Sequence, residues 1–105
     1  MNIPVNKLKE LCNPFRRFKF NKKAIQRATP DINGDHSQKI AYFLVNDILS
    51  PIQIDVGVPY LNFYPDWMIE DGNHRFAAAI LKNQEYIAAD VAGQEDYINE
   101  LFGRV

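Results

Sequence analysis

The sequence has few of the residues that cross-link a chain or bind soft metals. It contains one cysteine and two histidines in 105 residues. Cys12 alone cannot form an internal disulfide, and so small a set of ligands argues against a zinc cluster. One histidine, His36, is expected only as a loop residue or as the neighbour of a helix N-cap. Without a disulfide framework, the default expectation is a reducing, cytoplasmic location.

Long apolar runs are also lacking. No stretch approaches the roughly 20 residues that a transmembrane helix needs, and residues 1–7 lack the apolar core of a signal peptide. We therefore expect no membrane partner. What is present is an ordinary globular composition, with 47% hydrophobic and 24% charged residues. A chain of this length predicts a single domain, residues 1–105.

Charges of the two signs are unevenly distributed. Residues 1–30 contain eight Lys or Arg and one Glu, which gives a net charge of +7. Residues 31–105 contain four Lys or Arg and twelve Asp or Glu, which gives a net charge of −8. This asymmetry predicts either a face that binds DNA or another polyanion, or a basic segment that is solvated or lies on an acidic body. Phe15, Phe18 and Phe20 alternate with cations, so these rings either stack bases or anchor the core. The nucleic-acid-binding candidates are Arg16, Arg17, Lys19, Lys22 and Lys23.

Local patterns predict an α+β fold, a small mixed β-sheet flanked by helices. Alternating apolar residues indicate half-buried strands, and three- and four-residue spacing indicates amphipathic helices. Strands are expected at 3–5, 52–56, 67–70 and 86–91, with a further strand or hairpin arm at 60–64. Helices are expected at 6–11, 21–28, 37–49 and 76–82, with a terminal helix that opens at 93–94.

The run Asp-Gly-Asn-His-Arg at 71–75 is the most informative motif. It stands between an apolar strand and a helix with three consecutive alanines. A glycine turn in this position delivers His74 and Arg75 to the first turn of the helix, where unpaired backbone N–H groups and the helix dipole attract anions. The guanidinium binds phosphate through a fixed pair of donors. The motif therefore predicts a phosphate site.

With its flanking elements, this motif resembles the ParB/sulfiredoxin-like superfamily. The opening segment and its Asn-Pro break at 13–14 also resemble the start of that family, whereas residues 15–49 match least. The principal likeness lies in three pieces: the Pro-Ile strand at 51–54, the Asp-Gly-x-His-Arg motif with its Ala-rich helix at 71–79, and the short strand at 86–91.

The resemblance implies a pocket for the phosphates of ATP or CTP. It assigns phosphate contact to His74 and Arg75, and backbone donation to Gly72 and Asn73. Sulfiredoxins place their catalytic cysteine directly after the motif glycine, where this chain has Asn73, so sulfiredoxin chemistry is not expected. Chromosome-partitioning relatives carry Gly-Glu-Arg-Arg and an added helix-turn-helix domain. The sequence has neither, so partitioning is not expected.

Two functions follow from this motif. The first is a domain that binds nucleotide or nucleic-acid phosphate without turnover. The second is a Mg²⁺-dependent nuclease or NTP hydrolase, in which His74 and Glu70 are the candidates for proton transfer and Asp71 is the candidate metal ligand. Structural roles are the alternatives: Asp71 as the helix N-cap, His74 as a backbone cap, and Arg75 in a salt bridge to Glu70 or Asp71. The oligomeric state is not predicted.

Overall fold

The computed structural model describes residues 1–47, 50–57 and 69–102, which form four strands and six helices. None of the helices in these ranges is long and apolar enough to cross a membrane. The strands are β1 (Asn2–Pro4), β2 (Ile52–Asp55), β3 (Ile69–Asp71) and β4 (Tyr86–Ala92). The helices are α1 (Val5–Leu11), α2 (Pro14–Arg17), α3 (Lys22–Arg27), α4 (His36–Val45), α5 (Asn73–Leu81) and α6 (Glu95–Phe102).

The strands form a mixed sheet in the order β1-β4-β2-β3. The central pair, β2 and β4, is parallel, and each edge strand is antiparallel to its neighbour. Pro4 lies on an edge strand, where a missing backbone N–H is tolerated. Parallel strands need a long crossover connection, and here it contains β3 and α5. The predicted α+β class with a mixed sheet is therefore confirmed.

Two buried clusters share helix α5. One face of the helix packs on the sheet through Phe76, which is fully buried, and Ala79. The other face packs through Ala77 and Ala78 against α3 and α4. Alanines permit this close approach on the second face because they add almost no side-chain volume beyond the backbone. Of the three consecutive alanines, only Ala79 packs on the sheet.

Short polar side chains set several helix boundaries. Asn21, the first residue of the helix predicted at 21–28, caps α3 by accepting from the Ala24 N–H at 3.1 Å. Asp35 and Gln38 form a reciprocal capping box at the start of α4. Asn13 was expected only to break the chain, but its side chain accepts from Phe15 N–H at 2.9 Å and starts the short helix α2. Proline suits the first position of that helix because its missing N–H has no helical partner to lose.

Other boundaries differ from the predicted ones by a few residues. The fourth helix ends at Val45 instead of reaching residue 49, and α5 begins at Asn73 instead of 76. Helix α1 begins at Val5, so it takes one residue from the predicted first strand. The predicted strand or hairpin arm at 60–64, the first two residues of the strand predicted at 67–70, and residues 48–49 lie outside the described residues.

Candidate functional site

Gly72 forms the turn between β3 and α5. Its φ of 104° lies in the left-handed region, which residues other than glycine rarely adopt. A Cβ atom at this position would also lie 2.7 Å from Cβ of Ile52, inside the contact distance of two carbons. The turn therefore needs glycine for its conformation and for the close packing of the helix start on β2.

The start of α5 keeps its backbone donors available. Within the described ranges no side chain caps this helix, so Asp71 is not its N-cap, as one alternative had it. The first helical hydrogen bond runs from Phe76 N–H to the Gly72 carbonyl, at 2.9 Å. Asn73 instead uses its side chain to donate to the Ile69 carbonyl at 3.4 Å. The N–H groups of residues 73–75 thus lie at the positive end of the helix without helical acceptors.

Arg75 is held in place by the protein. Its guanidinium donates to the Ser50 carbonyl through Nη1, and Nη2 lies 3.7 Å from the Asp71 carboxylate. The Arg75 side chain is only 15% exposed, whereas that of Asp71 is 77% exposed. The salt bridge to Asp71 that was one alternative is therefore present, but an exposed carboxylate gives it little strength. A guanidinium has five N–H donors, so these two contacts leave donors for a ligand.

Helices α4 and α5 lie side by side in the same direction. At one end His36 meets His74, and at the other the Lys82 ammonium donates to the Phe43 carbonyl at 3.1 Å. Because the N-termini share one end, the positive ends of both helix dipoles lie there. His36 does follow the N-cap residue Asp35, as expected, but it also has this contact with α5.

The two histidines form a pair. Nδ1 of His36 lies 2.8 Å from Nε2 of His74, which is a hydrogen bond between two imidazoles. The rings are 5.0 Å apart and nearly parallel. The ring of Phe20 packs on both of them, with its centre 5.4 Å from the centre of the His36 ring and 5.5 Å from that of the His74 ring. His74 therefore bonds to another side chain rather than capping the backbone.

The surroundings of His74 favour its neutral form. Burial lowers the pKa of His74 from its ordinary value, and the nearby His36 and Lys39 lower it further, while Asp71 opposes them. Burial acts because a charged ring loses solvation, and the two neighbours act because a second positive charge is repelled. His74 is thus a weaker cation than the sequence motif alone suggests.

An open cavity of about 430 Å³ adjoins these groups. Its wall includes the turn at Gly72, the Lys39 ammonium, the Arg75 guanidinium and the His74 ring. A single ligand can therefore contact backbone donors, a guanidinium and an ammonium together. Its described lining residues are Ile32, Lys39, Phe43, Ser50, Asp71, Gly72, His74 and Arg75.

The candidate catalytic and metal-binding residues are only partly brought together. Asp71 lies in the cavity wall with His74, whereas Glu70 is exposed on β3 and is not among the described lining residues. Neighbouring residues of a strand point to opposite faces, which separates Glu70 from Asp71. In the described ranges, no group of three His, Cys, Asp or Glu side chains could hold a metal ion. Mg²⁺ would fit here only with oxygen ligands from the phosphate itself.

The basic segment has its own groove. Arg16 and Arg17 line an open depression of about 750 Å³ together with Lys9 and Cys12. Lys19 and Lys23 are also exposed, and the Lys22 ammonium lies 5.4 Å from the centre of the Phe15 ring. Phe15 and Phe20 pack against the second core cluster, whereas Phe18 is 38% exposed. Two of the three phenylalanines are thus core anchors with basic neighbours outside.

Cys12 does not join the phosphate site. It lines the basic groove, and its thiol donates to the Leu8 carbonyl over 3.6 Å. Burial raises the pKa of Cys12 to about 12, so the nucleophilic thiolate is scarce at neutral pH.

Sequence reasoning missed His36, Lys39 and Ser50 as neighbours of His74 and Arg75. His36 and His74 are 38 residues apart, and no local pattern links them. The capping signal at Asp35 could have placed His36 in a first helical turn, but only the parallel packing of α4 and α5 brings the rings together.

Compared with family models, curated proteins and solved structures, the chain has no match.

Proposed function

We propose that the chain binds the phosphate group of a nucleotide or nucleic acid in the cavity at the start of α5. One observation carries the proposal: the uncapped helix start, Lys39, His74 and Arg75 line the same cavity. Backbone N–H groups at a helix start bind anions, and Arg and Lys add charge and directed hydrogen bonds. The likeness of residues 71–79 to the ParB/sulfiredoxin-like motif, in which His-Arg binds ATP or CTP phosphates, supports the same proposal.

Binding without turnover agrees best with the groups in the cavity. Lys39 and Arg75 hold and orient a phosphate, but neither ordinarily acts as a base at neutral pH. His74 is the one described imidazole in the wall, and its Nε2 is occupied by His36. We therefore place positioning ahead of proton transfer.

Mg²⁺-dependent hydrolysis is the second candidate, and the position of Asp71 favours it. Asp71 is exposed and is the one carboxylate among the described residues of the cavity wall. One carboxylate together with substrate phosphates is a common way to bind Mg²⁺. A plasmid-nicking assay and an ATP hydrolysis assay test this candidate. Wild-type activity that requires Mg²⁺ and is lost in Asp71→Asn would support this candidate. Equal activity of the wild type and Asp71→Asn would contradict it.

A titration with ATP, CTP and ADP tests the phosphate site. The wild type is expected to bind at least one of them saturably, and Lys39→Ala is expected to weaken that binding at least about tenfold because it removes a charged hydrogen bond of about 1.5–3 kcal/mol. Lys39 is the preferred variant because Arg75 also holds the Ser50 carbonyl, so Arg75→Ala changes the fold as well as the site.

Lys7→Ala is the matched control, since Lys7 is an exposed lysine of α1 outside the cavity. It changes the net charge equally and is expected to alter nucleotide affinity less than twofold. Wild-type protein that binds none of the nucleotides would refute the proposal. Equal losses in Lys39→Ala and Lys7→Ala would show that only net charge matters.

A further inference from the structure

The contact between His36 and His74 controls which nitrogen of His74 bears hydrogen. A hydrogen bond between Nδ1 of His36 and Nε2 of His74 needs one donor and one acceptor. A neutral imidazole carries a single N–H, so if His36 donates, His74 must carry its hydrogen on Nδ1. If His74 donates instead, its Nδ1 presents a lone pair, which repels an anion. The two arrangements of one neutral pair therefore differ in what His74 offers the cavity.

The charges around the pair favour a neutral state. The charged residues around the pair are Lys39 and Asp35 at α4, Asp71 on β3 and Arg75 on α5. Asp35 caps α4, and Asp71 lies 3.7 Å from Arg75. Lys39 and the uncapped start of α5 add positive charge beside the pair, which the exposed Asp71 opposes only in part. Positive surroundings oppose an imidazolium and also oppose a metal dication bridging the rings. An anion that needs a donor would instead select one arrangement of the neutral pair.

Nδ1 of His74 is available for that anion. Among the described residues, the only hydrogen-bond partner of the His74 ring is His36, through Nε2. His74 lines the cavity with Lys39 and Arg75. Phe20 packs on both imidazoles and limits their rotation.

We propose that His36 is a positioning residue of the phosphate site, which donates from Nδ1 to Nε2 of His74 and so makes neutral His74 a hydrogen-bond donor to phosphate through Nδ1. The inference rests on the proposed function and extends it to a residue outside the glycine motif. It explains how a histidine that is a poor cation can still bind an anion. No proton is gained or lost, because binding selects a tautomer of the neutral pair.

Sulfate is the probe because it remains a dianion at every pH used, whereas phosphate esters titrate with a second pKa near about 6. Nitrogen-15 NMR of the two imidazole rings is recorded at pH 7.5, with and without saturating sulfate. We expect His74 in the bound state to be neutral with hydrogen on Nδ1. Sulfate affinity should change less than threefold between pH 7 and 8, whereas a site that required an imidazolium would lose about tenfold per pH unit above its titration.

Two variants of His36 separate the hydrogen bond from ring packing. His36→Asn keeps an amide donor near the position of Nδ1, and His36→Phe keeps an aromatic ring against Phe20 but removes the donor. We expect His36→Phe to weaken sulfate binding at least fivefold and His36→Asn to remain within twofold of the wild type. Circular dichroism spectra of both variants check that they are folded, and the wild-type NMR measurement does not depend on either variant.

Saturable sulfate binding with His74 charged, or with its hydrogen on Nε2, would overturn the inference and leave the proposed phosphate site intact. Equal affinities of the wild type and His36→Phe would also overturn it. Failure of the wild type to bind sulfate saturably even at low ionic strength, together with failure to bind nucleotides, would overturn the phosphate site and the inference together.

Discussion

The cavity at the start of α5 and the groove along α1 and α2 both contain cations, but they differ in how the cations are held. Arg75 in the cavity is mostly buried and bound to the Ser50 carbonyl, beside a helix start with available N–H groups. In the groove, Arg16 is an exposed side chain on a four-residue helix. Charge density alone predicts attraction to a polyanion, whereas binding one phosphate group also needs donors in a fixed geometry.

The two regions should therefore respond differently to salt and to mutation. Binding in the groove is expected to weaken steeply with salt, because it depends on counterion release. Binding in the cavity, as proposed, would use backbone hydrogen bonds at partly buried positions, so we expect it to depend on salt less.

Gly72→Ala is expected to have the largest effect, because it changes the turn that lines the cavity and packs on β2. A side chain at a φ of 104° is strained, and the added Cβ meets Ile52 on β2. Together these costs predict a loss of roughly 2–4 kcal/mol in the free energy of unfolding. Urea denaturation measures it. Gly34→Ala is the control, because its added Cβ would lie equally close to a side chain, 2.7 Å from Cβ of Gln38, but without a positive φ. A loss at Gly72 no greater than that at Gly34 would contradict this account of the turn.

Charge reversal in the groove is expected to have an intermediate effect. The double variant Arg16→Glu, Arg17→Glu should lower DNA affinity and reduce the slope of log K against log salt by about 2 if both side chains contact phosphates. ATP affinity of the cavity should stay within twofold. Fluorescence anisotropy of labelled duplex DNA at several salt concentrations measures the slope. If the variant lost ATP binding and DNA binding in parallel, the two regions would be one site.

The smallest effect is expected from the pH dependence of stability. Because the folded state lowers the pKa of His74, the unfolded chain binds more protons near and below the ordinary pKa of about 6.5. This contribution is fully present above that value and is lost as the pH falls through it towards the lower folded value. Wild-type protein should therefore lose more stability between pH 7.5 and 5 than His74→Gln, as measured by urea denaturation. An equal loss of stability in the wild type and in His74→Gln would mean that His74 contributes nothing to the pH dependence of stability.

Much of the fold could be predicted from local sequence signals. The alternation of Ile52 and Ile54 with polar residues located β2, and Asn21 located the start of α3. The glycine at 72 marked the entry to α5, although the helix begins three residues earlier than its apolar spacing indicated. These signals succeed because capping, turn formation and periodic burial are decided within a few residues.

The neighbours of the site could not be predicted in the same way. His36 reaches His74, and the Ser50 carbonyl reaches Arg75, only through the packing of α4 and α5 and the position of β2. The small alanines that permit this approach were visible in the sequence, but they did not indicate which surface they would face. The motif predicts a ligand class, and the tertiary structure adds the residues that contact the motif.

The most direct test of the central claim is a nitrogen-15 HSQC titration of the wild-type chain with ATP and with CTP. We expect saturable shifts of the backbone amides of Asn73, His74 and Arg75 with at least one nucleotide, and a midpoint at an at least about tenfold higher nucleotide concentration in Lys39→Ala. Shifts confined to residues 7–27, or no saturable shift at residues 73–75, would contradict the claim that the start of α5 binds phosphate.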